Sequence, residues 1–217
     1  MLYHDRRQAG EALARRLRLL QEKGELHHPV VLGLPRGGVI VAEEVAQALR
    51  APLDVLVVRK LGAPDHPELA VGAIAGDGPP YYDHGLMAQL HLTEESLAPV
   101  LERERAELRR RERLYRGDEP PPELAGRAVL VVDDGLATGS TARAALRAVR
   151  AQSPDRLVLA VPVGSFDGVA TLRREADEII CLERPVAFGS VGYWYEEFEQ
   201  VTDEQVLRVL RGARHWA

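Results

Sequence analysis

The sequence predicts an open α/β fold, a mainly parallel sheet with helices on both faces, on three observations. Apolar, β-branched runs recur at residues 30–32, 53–58, 129–132, 157–163 and 179–182. Stretches of helical periodicity fall between them. Two of the runs end in glycine turns, Gly33-Leu34-Pro35-Arg36-Gly37-Gly38 and Asp133-Asp134-Gly135. Continuous apolar strands alternating with helices belong to parallel sheets buried on both faces. Such sheets bind ligands at the carboxyl ends of their strands.

Taken in order, Ala9, Leu13, Leu17 and Leu20 recur at helical spacing, so residues 5–22 read as an amphipathic helix with Asp5 as N-cap and Gly24 as its stop. The strand at 30–32 leads through its glycine turn into a helix over residues 39–49. The run 53–58 reads as one buried strand closed by Arg59-Lys60-Leu61-Gly62. Residues 62–92, with His66-Pro67-Glu68 and Pro79-Pro80-Tyr81-Tyr82, suit a mobile loop plus a short hairpin. Thr93, followed by Glu94 and Glu95, opens a long charged helix over 93–116. Its apolar stripe of Leu97, Leu101, Leu108 and Tyr115 is narrow, which fits a solvated surface helix, a dimer arm in a homo-oligomer, or a basic edge around Arg109-Arg110-Arg111. Pro120-Pro121-Pro122 resets the chain before the strand at 129–132, and Thr202 with Gln205 forms a capping box for a terminal helix.

Composition narrows the function classes. The chain has 217 residues, a formal net charge of -5, 46% hydrophobic residues and 5% aromatics, the balance of a single folded domain over 1–217. That charge disfavours nucleic acid as a partner. The single Cys181 excludes an internal disulfide and reads as an inert buried thiol. The N-terminal residues lack the apolar core of a signal peptide, and no uncharged run nears the ~18 residues of a membrane span. A cytoplasmic protein with no membrane partner is expected. Lysine occurs only at Lys23 and Lys60, with arginine supplying the other cations.

The stretch that carries chemistry is Val131-Val132-Asp133-Asp134-Gly135-Leu136-Ala137-Thr138-Gly139-Ser140-Thr141. A buried strand delivers two carboxylates to the sheet edge, and a Gly/Thr/Ser loop runs into a helix N-terminus. Free N–H groups, the helix dipole and the hydroxyls of Thr138, Ser140 and Thr141 make this loop a phosphate site. The carboxylates suit neutral hydroxyls or a divalent cation instead. A sugar phosphate satisfies both. A Walker loop is excluded because no Lys precedes Ser140, and no G-x-G-x-x-G dinucleotide fingerprint is present.

These residues resemble the phosphoribosyl-pyrophosphate (PRPP) signature of the type I phosphoribosyltransferases, over a core of about residues 28–182. The resemblance implies a sheet of that type with a small hood formed by terminal segments. It implies that Asp133 and Asp134 bind the ribose hydroxyls and that Gly135, Leu136, Ala137, Thr138, Gly139, Ser140 and Thr141 bind the 5′-phosphate. Pro35-Arg36-Gly37-Gly38 is similar to the family's pyrophosphate loop, and Arg59-Lys60 to a cationic pair near the pyrophosphate. The implied catalytic set is Asp133, Asp134, Arg36 and Lys60, with Mg²⁺ as cofactor, held mainly by substrate near Asp133 and Asp134.

The resemblance further implies transfer of the 5-phosphoribosyl group from PRPP to a nitrogenous base or related small-molecule acceptor, with release of pyrophosphate. The stretch from Gly62 to about Gly78, with His66 and Glu68, matches the mobile loop that covers such a site. Ala137 stands where 6-oxopurine enzymes carry an Asp, which disfavours that acceptor class. In the hood segment, about 183–217, Phe188, Tyr193 and Trp194 are candidates for stacking on the base, within a cluster that also holds Tyr195 and Phe198. The alternative function is a PRPP- or nucleotide-sensing regulator of the same fold, able to bind RNA; a hydrolase is disfavoured because no G-x-S-x-G or H-E-x-x-H motif occurs.

Overall fold

The computed structural model describes residues 2–213. Helix α1 (Arg6–Glu22) starts where the Asp5 side chain accepts from Gln8 N, and buries Ala9, Leu13, Leu17 and Leu20. Strand β1 (Val30–Gly33) leads to α2 (Gly37–Leu49) and β2 (Leu53–Val55). Three strands follow, β3 (Val58–Ala63), β4 (His66–Ala75) and β5 (Tyr81–Tyr82), then α3 (His84–Gln89) and α4 (Glu94–Arg116). The chain continues through β6 (Ala128–Val132), α5 (Ser140–Arg150), β7 (Arg156–Val163), α6 (Phe166–Leu172), β8 (Glu178–Glu183) and α7 (Asp203–Ala213).

The main sheet has the order β2-β1-β6-β7-β8 and every pairing in it is parallel. Alternation along β6 explains its two covered faces. Val129 and Val131 pack with Leu146 and Val149 of α5. Ala128, Leu130 and Val132 pack with Leu13 and Leu17 of α1 and Val41 and Val45 of α2. An apolar residue is therefore required at each position, which is why the run lacks polar alternation. Cys181 is half-buried, its thiol donating to Glu183 O at 3.2 Å, and burial pushes its pKa up.

One sequence expectation fails at the end of β2. Residues 53–58 do not form one strand: Leu56 N donates to Gly33 O at 2.9 Å, and from Val58 the chain joins a second, antiparallel sheet of order β3-β4-β5. Leu56 is buried toward α5 and Val57 toward α4 and α7, so the apolar run stays unbroken while the chain changes sheet. The stretch from Gly62 to Gly78, expected as a mobile loop, is largely the β3–β4 hairpin. Its register shifts at Leu61/Gly62 and Gly62/Ala63. The first half of β4 is exposed and the second half buried.

Helix α4 has Thr93 as N-cap in a reciprocal cap with Ser96, and its narrow stripe packs on the second sheet through Leu108 and Val100 against Leu61 and Ile74. Among the terminal segments, Leu2 N and Tyr3 N donate to Trp194 O, and Glu196 N donates to Tyr3 O. Helix α7, opened by the Thr202–Gln205 box, docks through Val206 and Leu210 into the cluster shared by α2, α4 and β2. The last four residues of the expected hood, 214–217, lie outside the described residues.

Candidate ribose-phosphate site

Strand β6 ends at Val132, and Asp133 N still donates to Ala160 O of β7 at 3.3 Å. The next peptide turns away from the sheet. Asp133 Oδ1 accepts from Asp134 N at 2.9 Å. Burial first, and the Asp134 carboxylate second, hold the Asp133 carboxyl well above its usual pKa. Asp134 Oδ2 accepts from Arg6 Nε at 2.8 Å.

One more group braces Asp134, and a ring backs both braces. The Tyr195 hydroxyl, in a residue only 3% exposed, donates to Asp134 O at 2.6 Å. Burial and the Asp134 charge raise the pKa of that phenol, which keeps it a donor. Arg6 also lies 3.9 Å over the Phe198 ring, and Phe198 stacks on Tyr195 at 5.0 Å. The residue expected from the sequence to bind ribose is thus held by both terminal segments, its carboxylate by Arg6 and its main-chain carbonyl by Tyr195.

The glycines of the β1 turn face this pair. A Cβ on Gly37 would clash with Asp134 Oδ2, and one on Gly38 would stand 2.9 Å from Asp133 Oδ1. Leu34 N donates to Val132 O at 2.9 Å, tying the turn to the end of β6. Arg36 lies to the side, its Nη1 3.8 Å from Asp203 Oδ1.

The 135–141 loop is held from behind. Val191 fills the space a Gly135 side chain would need. Leu136 N donates to Val163 O, Ser165 N donates to Leu136 O, and the Ser165 hydroxyl donates to Ala137 O at 2.5 Å. Gly139 adopts φ +79°, the left-handed conformation that glycine tolerates, at the N-cap of α5. Thr138, Ser140 and Thr141 are exposed there. Lys60 Nζ donates to Ser140 Oγ at 2.5 Å.

The structure brings together Asp133, Asp134, Gly37, Gly38, the 135–141 loop and Lys60, and sends other candidates elsewhere. Arg59 donates to Glu104 of α4 at 2.8 Å, on the opposite face of β3 from Lys60. Phe188, 8% exposed, packs with Tyr3, Ala9, Val163 and Tyr195 in a small core that braces the N-terminal segment. Trp194 is tied to it, Nε1 donating to Phe188 O at 2.8 Å, whereas Tyr193 is 67% exposed. His66 and Glu68 lie on the exposed half of β4. Sequence reasoning missed Arg6, Ser165 and the bracing role of Tyr195. No local motif marks Arg6; Tyr195 had only its place in the aromatic cluster.

Among the described residues, no helix is long and apolar enough to cross a membrane. A family model described as "Phosphoribosyl transferase domain" matches residues 3–197. A Mycobacterium tuberculosis H37Rv protein that carries the provisional name phosphoribosyl transferase is 49% identical over 210 residues, 96% of this chain and 46% of the relative. The chain therefore spans about half the length of the curated relatives it matches. The crystal structure of TT1426 from Thermus thermophilus superposes with a TM-score of 0.87 at 43% identity, covering 100% of both chains. A Neisseria gonorrhoeae protein solved with bound ppGpp shares the fold at a TM-score of 0.53 and 14% identity, over 98% of this chain and 97% of its own. By the matched model and these likenesses, the chain belongs to the phosphoribosyl transferase domain family.

Proposed function

We propose that the chain transfers the 5-phosphoribosyl group of PRPP to a nitrogenous base or related acceptor and releases pyrophosphate. The observation that carries this reading is the acidic pair pressed against Gly37-Gly38 and continued by a hydroxyl-bearing loop at the start of α5. One end accepts hydrogen bonds and the other donates them, as the ribose diol and the 5′-phosphate require.

In the reaction the bond from C1 to the pyrophosphate oxygen breaks, the electron pair leaves with pyrophosphate, and an acceptor nitrogen forms the new bond to C1. The transition state has oxocarbenium character, like that of glycoside cleavage. Asp133 and Asp134 orient the ribose through its 2′- and 3′-hydroxyls, and bracing by Arg6 and Tyr195 fixes where Asp134 stands. Thr138, Ser140, Thr141 and the first-turn N–H groups of α5 hold the 5′-phosphate, with Lys60 adding a compact cation at Ser140. Arg36 lies on the leaving-group side.

Two adjacent carboxylates suit Mg²⁺ that takes most of its oxygen ligands from the substrate; among the described residues no group of three or more His, Cys, Asp or Glu is arranged to hold a metal alone. When bound, Mg²⁺ neutralises charge on the departing diphosphate. For the acceptor, exposed Tyr193 offers a stacking surface, carried by a 3₁₀ turn (Val191–Trp194) seated on Gly135. Ala137 presents no acidic group to N7 of a 6-oxopurine. Incubation with PRPP, Mg²⁺ and a panel of bases is expected to release pyrophosphate with at least one of them. Silence across the panel while PRPP remains bound would favour the sensing alternative.

A further inference from the structure

The consecutive cations Arg59 and Lys60 do not serve a diphosphate together, since Glu104 engages the first and Ser140 the second. Arg36 instead opens onto a cleft of about 530 Å³ whose other walls include Arg110, Arg111, Leu114 and Tyr115 of α4 and Asp203 of α7. That size falls in the range of small-molecule sites. Three arginines and one carboxylate line the cleft, and the carboxylate is occupied: Tyr115 donates its hydroxyl to Asp203 Oδ1 at 2.6 Å, while Arg36 stands 3.8 Å from the same oxygen. Burial, and then this hydrogen bond, push the Tyr115 phenol up to about 12, so it remains a donor at any working pH. Arg110 and Arg111 both pair with Glu107 at 2.8 Å, from side chains that are largely exposed. Exposed pairs of this kind hold weakly, so both guanidiniums are free to turn to a stronger anion.

We propose that Arg110 and Arg111 complete, with Arg36, the subsite for the diphosphate of the ribosyl donor. Helix α4, which lies outside the main sheet, thereby supplies two planar forks that match phosphate oxygens in pairs. The assignment rests on the phosphoribosyl-transfer reading above. Its second wall is Leu114 and Tyr115, which exclude water from one side of the bound anion.

The test is calorimetric titration of inorganic pyrophosphate into the full chain at low salt. The Arg110→Ala/Arg111→Ala variant should bind it about ten-fold or more weakly, since charge-assisted bonds are the strong ones. Arg109→Ala/Arg113→Ala removes the same charge from exposed positions of the same helix and should change affinity less than about two-fold. Glu107→Gln should tighten binding by releasing both guanidiniums. Unchanged affinity in the first variant, an equal loss in the second, or no binding by the unaltered chain would each overturn the proposal. A parallel titration with PRPP separates it from the functional reading. PRPP binding that Asp134→Asn weakens but Arg110→Ala/Arg111→Ala leaves alone removes the α4 subsite and keeps the transferase. Arginine-dependent pyrophosphate binding in a chain with no affinity for PRPP removes the transferase and the donor subsite alike, and leaves α4 with a diphosphate site of another use.

Discussion

Asp133-Asp134 and Arg59-Lys60 are both adjacent like-charged pairs near the end of an apolar run, and they meet different fates. The acidic pair lies one step past the end of β6, where the backbone has left the pleat, and both carboxylates abut the same Gly37-Gly38 turn. The basic pair lies inside β3, where successive side chains point to opposite faces. Arg59 therefore meets α4, and Lys60 meets the start of α5. Adjacency in sequence becomes adjacency in a site only where regular strand geometry has ended.

The largest test of this contrast breaks the convergence of the acidic pair. Gly37→Ala forces a methyl into Asp134 Oδ2 and should lower PRPP affinity by about 100-fold, the order expected when a positioned group moves by about 1 Å. Overpacking should also cost about 1–3 kcal/mol in a melt. A next, smaller pair of effects should dissociate the two cations. Lys60→Ala should reduce kcat/KM by about ten-fold with the melting temperature unchanged. Arg59→Ala should leave kinetics nearly intact and cost about 1 kcal/mol, because it removes the shorter-range of two arginine partners from Glu104, which is 8% exposed and keeps Arg103 at 3.2 Å. Equal kinetic losses in the two variants would show that the faces of β3 are not separate in function.

The smallest effect belongs to Asp133. Its folded carboxyl holds a proton more tightly than the unfolded one, so ionisation costs stability once pH rises above the unfolded value near ~4, and the cost is complete above the folded pKa. Asp133→Asn should therefore raise the melting temperature at pH 7.5 by a few degrees, at about 2–4 °C per kcal/mol. The gain should fade as pH is lowered toward ~4. A variant that melts lower at neutral pH would mean that the surroundings of the carboxylate stabilise its charge.

Much of the core was legible because local chemistry and global role agree there. Asp5 and Thr93 cap the helices they announce, and the runs in β6 and β7 are apolar because both faces are covered. The region between β2 and α4 was not legible. Leu56 and Val57 are buried in different clusters, so burial hides a change of sheet, and β4 is exposed in one half and buried in the other, which matches neither strand pattern. In the candidate site, the 135–141 loop announces itself by composition, whereas its supports do not. Arg6 and Asp134 are 128 residues apart, and nothing near either residue signals the other. The aromatic cluster was visible, yet composition could not separate Phe188, which packs, from Tyr193, which faces solvent.

The clamp on Asp134 bears on how the molecule matures. One jaw, Arg6, precedes every strand of the parallel sheet in the chain, and the other, Tyr195, follows them all. Closing such distant contacts is slow and comes late in folding. A chain interrupted anywhere before residue 195 has its 135–141 loop but lacks the hydroxyl that holds the Asp134 main chain. The bracing of Asp134 is thus complete only when both ends of the domain have met.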